Sequence, residues 1–119
     1  LETTAQRATQ LDEVFSYVRK EFHNEIRLET VASLINLTVP SFCRFFKKNT
    51  GKTFVEFVND FRITHACKLL AETNSPITDI CFESGFNNFS HFNACFKSST
   101  GMSPTAYRKH LRLTVVHDI

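Results

Sequence analysis

Leu11, Val14, Phe15, Val18 and Phe22 line one face of residues 11–23, and charged residues fill the other. This three-to-four-residue period predicts an amphipathic helix. Residues 1–9 lack such a period and read as a linker or frayed end. Leu28, Val31, Ala32 and Ile35 predict a short helix over 28–35. Asn36 breaks it, because Asn tolerates left-handed backbone better than most non-glycine residues. Thr38 is placed to cap a second helix. Pro40 suits the first turn, whose N–H groups lack helical partners anyway. Gly51 stops this helix after Asn49 or Thr50. The helix carries Arg44, Lys47 and Lys48 and is expected to bury Phe42, Phe45 and Phe46.

Thr53 and Glu56 then stand at capping-box spacing. An apolar pattern from Phe54 through Phe57, Val58, Phe61, Ala66, Leu69 and Leu70 runs to about Glu72. A helix of about twenty residues spans ~30 Å. Ser75 is expected to cap the next helix, with Pro76 at its first position. That helix, about 76–84, should bury Ile77, Ile80 and Cys81 and stop at Gly85. Asn88 is a good cap for a helix over about 89–99, which Gly101 ends. Ser103 and Pro104 start the last helix, about 104–112, and the tail 114–119 shows no helical pattern. No segment alternates as a strand would. The expected fold is all-α with about seven helices. Two helix-turn-helix subdomains, about 28–50 and 76–99, are joined by a long linker helix, about 53–72. Residues 11–113 form the domain, 1–10 an extension.

The pattern occurs twice. Phe42, Phe46, Lys47, Thr50 and Gly51 recur as Phe92, Phe96, Lys97, Thr100 and Gly101, and Phe57 and Arg62 recur as Tyr107 and Arg112. Upstream, Leu28, Val31, Ala32 and Leu37 align with Ile77, Ile80, Cys81 and Phe86. A repeat of this length is a supersecondary unit. Two small basic helical units suit a partner that is itself periodic, such as a DNA duplex.

At 119 residues and 42% hydrophobic composition the chain can build a core, and with 13 Phe and no Trp that core is Phe-rich. No stretch approaches the ~18 apolar residues of a membrane span, and no secretory signal is present. Without an initiator Met the chain is expected to be a piece of a longer protein. The net charge of +2 is uninformative, but its distribution is not. Thr30 to Val55 contains no acid while Arg44, Lys47, Lys48 and Lys52 supply positive charge. Ser84 to His117 is again free of acid and holds Lys97, Arg108, Lys109 and Arg112. A single such window would read as a solvated face; two in matching parts of a repeat favour polyanion contact.

Cys43, Cys67, Cys81 and Cys95 have no zinc-ligand spacing. Cys67 and Cys81 read as small buried hydrophobes, and thiols used this way fit a reducing cytoplasm. No metal or cofactor is expected. There is no glycine-rich phosphate loop and no Ser/His/Asp arrangement, so no enzyme is expected.

In a helix-turn-helix unit the first helix supports and the second enters the major groove. The exposed stripe of the first unit's second helix comprises Val39, Pro40, Cys43, Arg44 and Lys47, with Lys48 beside it. In the second unit it comprises Phe89, Ser90, Asn93, Ala94 and Lys97, with Asn88 and His91 adjoining. Phe42, Phe46, Phe92 and Phe96 lie on the opposite stripe and read as core.

The stretch GFNNFSHFNACFKSSTGMSPTAYRKHLR at 85–112 resembles the C-terminal signature of the AraC/XylS family of bacterial transcription regulators. LETVASLINLTVPSFCRFFKKNTGKTF at 28–54 resembles that family's first unit, and the resemblance covers about 11–112. It implies a seven-helix reader of double-stranded DNA, with two recognition helices in successive major-groove segments on one side of the duplex. It implies partners beyond DNA: an N-terminal sensing or dimerising domain missing from this chain, and RNA polymerase in the full regulator.

By the same resemblance Arg44 stands where relatives often have Arg, and Arg can donate two bonds to guanine; the alternative is a phosphate contact. Asn93 either pairs with adenine or touches the backbone. Cys43 and Ala94 should face bases with apolar contact. Lys47 and Lys97 read as phosphate neutralisers, and Ser90 and His91 as further phosphate contacts. Phe89 either meets a base methyl or folds back onto the core, and the core is the expectation. Two departures stand out. Ala94 replaces an Arg common among relatives, so readout there leans on DNA shape. Asn36 replaces a usual Gly, so that turn is expected to be strained. The alternative function is a helical protein-interaction module, favoured if Phe45, Phe89 or Tyr107 form an exposed apolar patch.

Overall fold

The computed structural model describes residues 3–117. Among them are seven helices and no strand: α1 (Thr4–Glu21), α2 (Leu28–Leu34), α3 (Val39–Thr50), α4 (Phe54–Glu72), α5 (Ile77–Glu83), α6 (Phe89–Thr100) and α7 (Pro104–His117). No helix among the described residues is long and apolar enough to cross a membrane. The chain divides into two compact units, 1–58 and 59–119.

In the first unit α1 begins well before the expected linker ends. Thr3 caps it: its hydroxyl accepts from the Gln6 N–H, and the Gln6 side chain accepts from the Thr3 N–H. This reciprocal pair satisfies two orphan donors, and Ala5, Gln6, Arg7, Ala8 and Gln10 that follow are good helix formers. Helix therefore propagates outward from the packed part of α1, where Val14 and Val18 are buried. Residues 1 and 2 of the expected extension lie outside the described residues.

The α2–α3 turn is made by Asn36 at φ 58°. Thr38 caps α3 by accepting from the Ser41 N–H at 3.3 Å, and Gly51 ends it at φ 79°. Phe42 and Phe46 are fully buried with Val31, Ile35, Phe54 and Val58, while Phe45 is only half-buried. Phe46 meets Phe54 and Phe57 edge to face at 5.4 Å each, a geometry that aligns ring edge with ring face. The Thr53–Glu56 capping box forms in both directions and starts α4.

The second unit repeats this at atomic detail. Its core holds Ile63, Ala66, Leu70, Ile80, Cys81, Phe86, Phe92 and Phe96. Phe96 meets Tyr107 edge to face at 5.4 Å, as Phe46 meets Phe57. Thr50 and Thr100 do the same work. Each hydroxyl donates to the carbonyl four residues back, at 2.7 and 2.8 Å, and accepts from the N–H two residues on, at 3.2 Å. Gly85 at φ 97° makes the α5–α6 turn, Asn88 caps α6, and Ser103 caps α7.

Two expectations fail here. Ser75 does not cap α5, which starts at Ile77 with no side-chain cap. The Ser75 carbonyl instead accepts from Arg108 at 2.7 Å, and its N–H donates to the Thr73 hydroxyl. α7 also runs beyond 112 to His117, into the expected tail. No Gly or Pro interrupts that stretch, so nothing stops helix propagation. Residues 118 and 119 lie outside the described residues.

Candidate nucleic-acid interface

α3 presents Pro40, Cys43, Arg44, Lys47 and Lys48 to solvent, with Val39 half-buried at its start. The placement follows from the core. Phe42 and Phe46, one turn apart, are driven inward, so Cys43, Arg44 and Lys47 must face out. The Arg44 guanidinium donates to the Ser41 hydroxyl at 3.3 Å, three residues back on the same helix. Ser41 therefore steadies the Arg44 side chain, a role visible afterwards only as an i,i+3 spacing. Among the described residues Lys47 and Lys48 make no ion pair.

α6 presents Ser90, His91, Ala94 and Lys97, with Asn88 exposed at its cap. The Asn88 side-chain oxygen accepts from the His91 N–H at 2.8 Å, so part of this residue holds the helix start. The His91 ring lies 5.7 Å from that of Phe86 and has Nε2 3.7 Å from the Cys95 sulfur. Burial pushes the Cys95 thiol up, and Asp60 adds to the shift. Asn93, expected to be exposed, is half-buried.

Phe89 corrects another expectation. Rather than joining the core it keeps 39% of its surface exposed, with its ring tilted against Phe92 at 6.2 Å. Phe92 is itself fully buried, so the space below is already filled. Phe45 and Tyr107 are half-buried, which leaves Phe89 the exposed one of the three residues that would have built an apolar docking patch.

The second acid-free window is also less available than its charge count suggests. Arg108 donates to the carbonyls of Leu70, Thr73 and Ser75, at 3.3, 3.2 and 2.7 Å. Burial, with Arg112 nearby, lowers its pKa from the ordinary arginine value. Arg108 thus closes the C-terminal end of α4, where helix carbonyls lack partners. Arg112 donates to the Asn74 side chain at 2.7 Å.

Each unit therefore carries two short helices joined by a left-handed turn, and the second helix shows an exposed stripe ending in a lysine. Comparison with known proteins agrees with this arrangement. A family model described as a helix-turn-helix domain matches residues 31–110. The bifunctional transcriptional activator/DNA repair enzyme AdaA of Bacillus subtilis is 33% identical over 99 residues, covering 83% of this chain and 47% of AdaA. The C-terminal domain of AraT, a response regulator from Geobacillus stearothermophilus, superposes with a TM-score of 0.79 at 28% identity, covering 85% of this chain and 84% of that one. The DNA-binding domain of the global transcriptional factor AdpA, crystallised with a target DNA, gives a TM-score of 0.82 at 25% identity, covering 88% and 95%. The chain spans less than half of the length of the curated relatives it matches, from 13% to 47%.

Proposed function

The chain belongs to the AraC/XylS-type family of helix-turn-helix transcription regulators, and on that footing we propose that it is the DNA-reading part of such a regulator. α3 and α6 are the recognition helices. The observation that carries this is the doubled stripe: Arg44 and Lys47 on α3, and Ala94 and Lys97 on α6, stand opposite the buried Phe pairs, with Asn93 half-buried at the edge of the second stripe. Arg44 reads a guanine edge. Lys47, Lys48 and Lys97 neutralise phosphates, and Ser90 and His91 contact them. Val39, Pro40 and Cys43 border the first read patch, and Asn88 and Phe89 the second.

The DNA-bound state of the AdpA domain supports a duplex as the partner. In the full regulator, RNA polymerase and a sensing or dimerising domain are further partners, and the cytoplasm is its compartment. The test is selection of binding sites from random duplexes. Two preferred patches about one helical turn apart are expected. A selection that converges on no sequence would leave the protein-interaction reading in place.

A further inference from the structure

The repeat pairs Phe89, at the start of α6, with Val39, at the start of α3. The fold treats them differently. Val39 is half-buried, whereas Phe89 stands out over the filled space above Phe92. Farther along the same helices the units differ again: exposed Ala94 occupies the place of Arg44. α6 thus offers a ring and a methyl where α3 offers a guanidinium.

Apolar surface left in water carries a free-energy cost, and a helix reading only by hydrogen bonds gains nothing from a partly exposed phenyl ring. The major groove presents one apolar group, the thymine C5 methyl, and Ala and Phe are among the side chains that contact it. We propose that Phe89, with Ala94 farther along the same helix, is a thymine reader that selects a T·A pair in the second read patch through its methyl group. This rests on the reading of α6 as a recognition helix. The two units then use different chemistries, hydrogen bonding in the first and methyl packing in the second.

The test uses the chain as it stands and the duplex recovered by selection. Each thymine of the second patch is replaced singly by deoxyuridine, which deletes the methyl and keeps the pairing and the O4 acceptor. At one or two positions affinity should fall roughly fourfold, the effect of exposing one methyl-sized group. Phe89→Ala should bind the thymine and deoxyuridine duplexes alike, Phe89→Leu should keep part of the difference, and Arg44→Ala should keep all of it. Unchanged affinity at every deoxyuridine position would overturn the proposal. So would a methyl effect as large in Phe89→Ala as in the unmodified chain. The scan with the unmodified chain needs no variant, so a folding defect cannot mask the answer. If selection recovers no duplex at all, the recognition-helix reading fails first, and this inference goes with it.

Discussion

Arg44 and Lys97 are both exposed and both basic, yet they should fail differently when removed. Arg44 has a planar fork able to meet two acceptors of one base, and its guanidinium is steadied by Ser41 at 3.3 Å. Lys97 is a point charge at the end of its stripe. Arg44→Ala is expected to cost ~1–3 kcal/mol of binding and to relax preference at one base pair, while Lys97→Ala weakens every duplex about equally. Fluorescence anisotropy on the selected duplex and its single-pair variants separates the two. Arg44→Ala binding that duplex like the unmodified chain would remove Arg44 as a base reader. The exposure of Cys43, Arg44 and Lys47 was legible from helical spacing, because Phe42 and Phe46 claim the opposite face. The standing of Phe89 and Asn93 was not, since both lie at the boundary of the buried face. There the volume already taken by Phe92 and its neighbours decides how far a side chain can sink.

At the scale of elements the two turns test one backbone requirement with different residues. Asn36 sits at φ 58° between α2 and α3, and Gly85 at φ 97° between α5 and α6. A Cβ in left-handed backbone costs roughly 1–2 kcal/mol for ordinary residues and less for Asn. Gly85→Ala should therefore lower the midpoint of thermal unfolding by several degrees, at about 4–8 °C per kcal/mol for a domain of ~60–100 residues. Asn36→Gly should change it little, because relief of the turn is offset by the larger conformational entropy glycine loses on folding. Circular-dichroism melts decide it; Gly85→Ala melting with the unmodified chain would show that the turn does not need its glycine. Most helix ends were legible because their signals are local, as with Thr38, Gly51, Thr53 with Glu56, Asn88 and Ser103. The misplaced ends have local reasons too. Gln6 was an unread partner for Thr3, and nothing after 112 breaks α7.

For the molecule as a whole, a net charge of +2 understates the electrostatics. What matters is that Lys47, Lys48 and Lys97 lie on α3 and α6 in stretches without acids. If binding uses about 6–10 phosphate contacts, affinity should drop ~10³-fold or more between about 50 and 200 mM salt. A binding constant indifferent to salt in an anisotropy titration would count against duplex recognition. The sequence by itself determined the seven helices and their twofold repetition, because caps, left-handed turns and helical spacing act over a few neighbouring residues. Only the tertiary structure decided the standing of Arg108 and Phe89. Arg108 is committed to carbonyls 33–38 positions away along the chain, and Phe89 is held out by a core already full beneath it. Both outcomes depend on partners and volumes brought together by folding, which no spacing along the chain encodes.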